Sequence, residues 1–286
     1  MSVPVVLRTR AELSQHIASV RAASVGFVPT MGALHAGHLS LVQRSVSEHS
    51  STLVSVFVNP TQFGPNDDFH KYPRALERDL ETLRDSGVAA VFAPAVSEVY
   101  PEGSATSVHV AGVSESLCGP WRPGHFDGVA TVVAKLFSAV GPCSAYFGRK
   151  DFQQLAVILR MVQDLFLPVR VVGVPTLREP DGLAMSSRNV YLSQEERHRA
   201  AAIACGLRAA HAAFASGERS SAKILACASS HILPVATSVE CLSLVDPSSL
   251  QPSPEQLGAS ALLAVAIRVG TTRLIDNVEL GVDVSP

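Results

Sequence analysis

Through the first 175 residues, short apolar runs alternate with stretches whose apolar residues recur at helical spacing. No other feature restricts the fold of this chain as strongly. Residues 25–28, 53–58, 88–92, 145–147 and 169–174 read as strands bounded by Gly, Pro and Asn, as buried parallel strands usually are. Residues 39–48, 74–86, 129–139 and 152–166 carry the helical period between them. Strand–helix–strand repeats close as a parallel sheet with helices on both faces. The expected fold class is therefore α/β, with a Rossmann-like sheet whose ligands sit beyond the carboxyl ends of the strands.

The pattern changes after Pro175. A polar loop (177–188) leads into an Ala-rich helical region (194–216) and a second helix (222–233). Strand-like segments at 239–245, 262–269 and 272–278 follow, with a turn at Gly270. Helices followed by an antiparallel meander predict a smaller C-terminal α+β domain. The expected division is 1–176 and 177–286.

Composition excludes more than it identifies. Hydrophobic residues make up 47% and charged residues 17%, a balance that supports a packed core rather than disorder. A formal net charge of −2 supplies no electrostatic reason for a nucleic-acid or membrane-surface partner. No run approaches the roughly 20 apolar residues of a membrane span, and the N-terminal apolar patch is too short for a secretory signal. The five cysteines contain no CxxC pair, so they read as reduced thiols without a disulfide framework or zinc site. The expected setting is the cytosol.

Two clusters carry chemistry. His35-Ala36-Gly37-His38 follows an apolar run and the turn Pro29-Thr30-Met31-Gly32, and leads into a helix-like stretch. Two imidazoles at a helix N-terminus lie where backbone N–H groups and the helix dipole attract anions. Gly37 permits close approach of a ligand to the backbone. A Walker loop is excluded because His38-Leu39 stands in place of Lys-Ser/Thr, and a zinc-protease helix because the histidines are not four apart. The pair suits phosphate oxygens. The second cluster is Gly182-Leu183-Ala184-Met185-Ser186-Ser187-Arg188-Asn189. Hydroxyls beside an arginine form an anion clamp; a polar connecting loop is an equal reading.

Together the two clusters resemble the signatures of the nucleotidyltransferase superfamily. Further blocks narrow the likeness: Pro29–His35, Val58-Asn59-Pro60-Thr61-Gln62-Phe63, Arg122–Val129, Phe147-Gly148-Arg149-Lys150-Asp151-Phe152-Gln153-Gln154-Leu155 and Asp181–Asn189. In this order they resemble the pantothenate synthetase family, as does Gly270–Asn277 near the C-terminus.

The resemblance implies a two-step ligase that activates pantoate as an adenylate with ATP and then passes the acyl group to β-alanine. It implies ATP contacts from Met31, Gly32, Ala33, Leu34, His35, Ala36, Gly37 and His38. Further ATP contacts would come from Gly148, Arg149, Lys150, Asp151, Leu177, Met185, Ser186, Ser187 and Arg188. Catalysis would rest on His35, His38, Lys150, Ser186, Ser187 and Arg188, and pantoate handling on Gln62, Gln154 and Asn59. Mg2+ would accompany ATP, with Asp79 as a candidate ligand, although Arg78 stands where some members carry a second acid. Arg149 replaces a common Glu, and Leu177 a Val that often contacts adenine. Arg122 and His125 are expected to be structural. A homodimer is implied as well. An alternative is nucleotidyl transfer to a phosphate-bearing acceptor; a catalytically silent binding protein is disfavoured by the intact polar set.

Overall fold

The computed structural model describes residues 3–20, 25–65, 69, 70 and 72–283. They divide into two units: Met1–Val110, Arg122–Arg149 and Gln154–Pro175 in the first, and Ala111–Trp121, Lys150–Gln153 and Thr176–Pro286 in the second. The principal break falls beside Pro175, but two short earlier segments group with the C-terminal unit. Gln153 shows why. Its buried side chain accepts from the Cys118 amide (3.0 Å) and donates to the carbonyls of Val113 (3.0 Å) and Ser116 (2.7 Å), binding 111–121 to 150–153.

The first unit is built on a six-stranded parallel sheet: β1 (Val5–Leu7), β2 (Val25–Thr30), β3 (Ser51–Val56), β4 (Ala90–Phe92), β5 (Cys143–Gly148) and β6 (Val169–Val174). Their spatial order is β1-β4-β3-β2-β5-β6. The helices are α1 (Arg10–Ser19), α2 (Ala36–Glu48), α3 (Leu76–Thr82), the single turn α4 (Val96–Val99), α5 (His125–Val140) and α6 (Phe152–Asp164). Alternation along the strands sends neighbours to opposite faces. Val28, Val54, Val91 and Tyr146 pack with Leu41 and Val42 of α2 and with Leu83 just after α3. Phe27 and Phe147 meet Phe137 of α5 on the other face, with ring centroids 6.4 and 6.3 Å apart.

Local signals explain the departures from the sequence reading. β1 is three residues long, too short to show a period, and is recruited by parallel pairing of Val5 with Ala90 and Leu7 with Phe92. α1 starts at a capping box, Thr9 with Glu12, a local signal carried by four residues of sequence. α3 is shorter than expected because the chain turns through Asp85 (φ 57°) and Gly87 (φ 85°).

The second unit contains α7 (Gln194–Ala200), α8 (Ala202–Ala215), α9 (Ser221–Ile232) and an antiparallel sheet of β7 (Ser238–Val245), β8 (Ala261–Val269) and β9 (Thr272–Leu280). Its core joins Leu207, Phe214, Ile224 and Ile232 to Leu263, Ile267 and Val278. The expected 194–216 helix is two helices meeting at Ala201. Among the described residues no helix is long and apolar enough to cross a membrane.

Candidate active site

The loop after β2 is shaped by its own backbone. Thr30 Oγ1 donates to Ser55 O (2.7 Å) and accepts from the Gly32 amide (3.1 Å). Gly32 and Ala33 then take positive φ in succession, 82° and 51°. A Cβ on Gly32 would lie 2.7 Å from Asp79 Oδ2 and 3.0 Å from Val56 Cγ1, so a side chain there is excluded sterically as well. Successive amides turned inward in this way form an anion-binding nest. Here the anion is the chain's own: Ala33 N–H donates to Asp79 Oδ2 (3.1 Å) and Leu34 N–H to Oδ1 (2.8 Å).

Asp79 is 3% exposed. Burial pushes its carboxyl pKa up, while the two amides and Arg78 pull the other way. The family resemblance makes Asp79 a candidate Mg2+ ligand, but both of its oxygens accept from loop amides. Among the described residues, no group of three or more His, Cys, Asp or Glu side chains could hold a metal. The residues present do not fit an all-protein Mg2+ cage.

His35 and His38 come together at the start of α2. His35 is the N-cap, and its Nδ1 accepts from the Gly37 amide (3.1 Å). His38 Nδ1 accepts from the His35 amide (3.3 Å). The two rings lie 4.2 Å apart. A backbone amide only donates, so both Nδ1 atoms are unprotonated and the neutral rings carry their hydrogen on Nε2. The imidazoles thus replace the hydroxyl and carboxylate of an ordinary capping box. Their fixed tautomer makes each Nε2 a donor.

Beyond β3, the 3-10 turn Pro60–Gln62 carries the next pair. Asn59 and Gln62 are buried. Asn59 Nδ2 donates to Gln62 Oε1 (3.1 Å) and Gly128 O (3.0 Å), and Tyr100 donates to Asn59 Oδ1 (2.8 Å). Gln62 Nε2 lies 3.1 Å from Met31 Sδ. Residues from two separate sequence blocks are therefore in contact. His125, at the first position of α5, has Nδ1 2.7 Å from Gln62 O and Nε2 2.8 Å from Arg122 Nη1. The carbonyl can only accept and the guanidinium only donate, so Nδ1 holds the proton. His125 thereby links Arg122 to the Gln62 backbone. No local motif in the sequence marks Tyr100, which reaches Asn59 from 41 residues away.

Gly148 closes β5, and Arg149, Lys150 and Asp151 form a 3-10 turn leading to α6. Within the second unit, Lys150 Nζ lies 3.8 Å from Asp151 Oδ2, a loose pair, while Asn277 Nδ2 donates to Lys150 O (2.9 Å). The adjacent glutamines have different roles. Gln153 is consumed by packing, as described above, whereas Gln154 is half-buried.

The 177–189 segment folds back on itself in the second unit. Met185 N–H donates to Leu177 O (3.0 Å), Glu179 N–H to Leu183 O (2.8 Å), and Arg178 bridges Ala184. Arg178 also forks onto the buried Asp276 carboxylate (2.6 and 3.1 Å) and reaches Gly182 O (3.0 Å). Asp181 pairs with Arg197, whose hydrogen bond holds its carboxyl below the ordinary range. Ser186 caps a 3-10 turn, Ser187–Tyr191, by accepting from the Arg188 amide (3.2 Å). Ser186, Ser187 and Arg188 are all part-exposed on this braced loop.

The pattern of one family, pantoate-beta-alanine ligase, matches residues 5–279. Pantothenate synthetase 1 of Bradyrhizobium diazoefficiens is 53% identical over 277 residues, covering 96% of this chain and 98% of its own length. The pantothenate synthetase of Moorella thermoacetica is 48% identical, at 97% and 99% coverage. Among solved structures, the pantothenate synthetase of Thermus thermophilus superposes with a TM-score of 0.91 at 50% identity, covering 96% of this chain and 98% of that one. A pantoate-beta-alanine ligase from Francisella tularensis, complexed with beta-gamma ATP and beta-alanine, gives 0.78 at 30% identity, covering 99% and 100%. With a full-length pattern match and relatives near half identity, this chain belongs to the pantoate-beta-alanine ligase family.

Proposed function

We propose that the protein condenses pantoate with β-alanine, converting ATP to AMP and pyrophosphate through a pantoyl adenylate. The observation that carries this reading is the imidazole cap at α2: two rings at a helix N-terminus whose tautomers make both Nε2 atoms donors. Such donors match the charge that builds on phosphate oxygens during displacement at phosphorus. A pantoate carboxylate oxygen attacks the α-phosphorus, and the bond to the β-phosphate bridging oxygen breaks. The β-alanine amine next attacks the acyl carbon, AMP leaves with the bonding pair, and the amine surrenders a proton. No enzyme nucleophile is needed, so alignment and charge stabilisation carry the rate.

In this reading His35, His38 and Lys150 serve the phosphates, with His38 donating as pyrophosphate departs. Ser186, Ser187 and Arg188 complete the anion contacts, together with backbone around Met31–His38, Gly148–Asp151, Leu177 and Met185. Gln62 and Gln154 handle pantoate, and Asn59 serves it by fixing the geometry of Gln62. Mg2+ is carried by the nucleotide phosphates and water, and no step is assigned to a protein-bound metal. The same reading carries a cytosolic homodimer and a domain division near residue 176.

The test supplies ATP, Mg2+, pantoate and β-alanine and measures AMP and pantothenate. Both products should form, and AMP release should require pantoate. AMP formation indifferent to pantoate, or a dinucleotide-like product with a phosphate-bearing acceptor, would replace this assignment. His38→Ala and Lys150→Ala should lower single-turnover adenylation by about 10²–10³-fold with the fold retained. Near-normal adenylation in both variants would withdraw their roles.

A further inference from the structure

The buried polar chain behind Gln62 has a direction. Gly128 O, a backbone carbonyl, only accepts, so the Asn59 atom 3.0 Å from it is the amide nitrogen. That assignment places Asn59 Oδ1 toward Tyr100, whose hydroxyl must donate across 2.8 Å. Burial raises the Tyr100 pKa, which keeps the proton on that hydroxyl at neutral pH. Thr61 Oγ1 adds a second contact to Asn59 Oδ1 at 3.0 Å. The other Asn59 amide hydrogen goes to Gln62 across 3.1 Å, so Gln62 must turn its oxygen to Asn59. Its nitrogen is then left facing Met31 Sδ, a weak acceptor that does not satisfy two amide hydrogens.

We infer that Tyr100 is a positioning residue that, through Asn59, locks the Gln62 amide with its nitrogen presented to an oxygen acceptor of the acid substrate. This rests on the reading above that Gln62 meets pantoate, and adds that Gln62 meets it only as a donor. A freely rotating amide would present either end, at a cost in orientation that a locked amide avoids. The acid must then offer a carboxylate or hydroxyl oxygen at this point. An analogue with only a donor there leaves buried groups unpaired and is rejected.

The experiment compares Gln62→Glu, Asn59→Asp and Tyr100→Phe, with pantoate KM, ATP KM, kcat and thermal stability measured for each. Gln62→Glu keeps the shape but offers only acceptors when ionised, and should raise pantoate KM at least tenfold. Asn59→Asp sets an acceptor against Gly128 O and Gln62 Oε1 and should match it. Tyr100→Phe keeps the ring beneath the Lys135 ammonium, 4.6 Å from its centroid, and removes only the hydroxyl with its contacts to Asn59 Oδ1 (2.8 Å) and Thr61 Oγ1 (3.1 Å). It should raise pantoate KM about three- to tenfold and leave ATP KM unchanged. In the Tyr100→Phe/Gln62→Glu double variant pantoate KM should stay within twofold of Gln62→Glu alone, because the relay has lost its endpoint.

Unchanged pantoate KM in Gln62→Glu removes the underlying assignment of Gln62. A large effect there, with no effect of Tyr100→Phe or with fully multiplicative effects in the double variant, overturns the relay alone. If Asn59→Asp does not fold, Tyr100→Phe and the double variant decide the matter.

Discussion

Asp79 shows how burial overrides residue type. The family resemblance offers this carboxylate as a Mg2+ ligand, yet in the fold it accepts from Ala33 and Leu34 and stabilises two consecutive positive-φ residues in the loop after β2. Asp79→Asn should place an amide donor against one of those N–H groups. The expected loss is on the order of 1–3 kcal/mol, with loss of hydrogen-exchange protection at the Ala33 and Leu34 amides. ATP KM should rise about tenfold, the scale of roughly 1.4 kcal/mol, while half-saturation by Mg2+ at fixed ATP stays put. A shifted Mg2+ dependence with both amides still protected would return Asp79 to the metal. The histidine pair was legible from sequence because apolar run, turn, glycine and helix start are all local. Its tautomers were not, since they depend on which backbone amide each Nδ1 meets.

At the scale of elements, α5 and the Pro60–Gln62 turn are pressed together at one glycine. A Cβ at Gly128 would sit 2.4 Å from Thr61 O and 2.6 Å from Gln62 N, both backbone atoms that cannot swing aside. Gly128→Ala should therefore destabilise by about 1–3 kcal/mol despite alanine's better helix propensity, and should raise pantoate KM by displacing Asn59 and Gln62. Stability equal to the parent in denaturant, with normal pantoate KM, would show that the turn yields without cost. The long helices and the strands β2, β3, β5 and β6 were readable because their periods run over enough residues. β1 was not, because its place is created by β4, and the junction at Ala201 breaks what reads as one Ala-rich run.

Across the whole molecule, each unit has its own sheet and core, and each sheet buries a thiol: Cys143 in β5 and Cys241 in β7. Burial pushes these thiols up to about 12 and about 11 respectively, so almost no thiolate exists at neutral pH. Cys205 is exposed on α8. Iodoacetamide at pH 7.5 should label Cys205 first, and Cys143 and Cys241 only as denaturant opens their units, followed by peptide mass mapping. Rapid native labelling of Cys143 or Cys241 would contradict the packing described for that unit.

The sequence alone determined the alternation that makes a parallel sheet, the smaller α+β region after Pro175, and the polar blocks that mark the family. These are consequences of local periodicity and of residues adjacent in the chain. Tertiary structure decided which end of the Asn59 amide faces Tyr100, which glutamine of the 153–154 pair is spent on packing, and that Asp79 serves a loop 45 residues before it. Those outcomes rest on donors and acceptors supplied by distant segments once water is excluded, and a linear pattern carries no record of them.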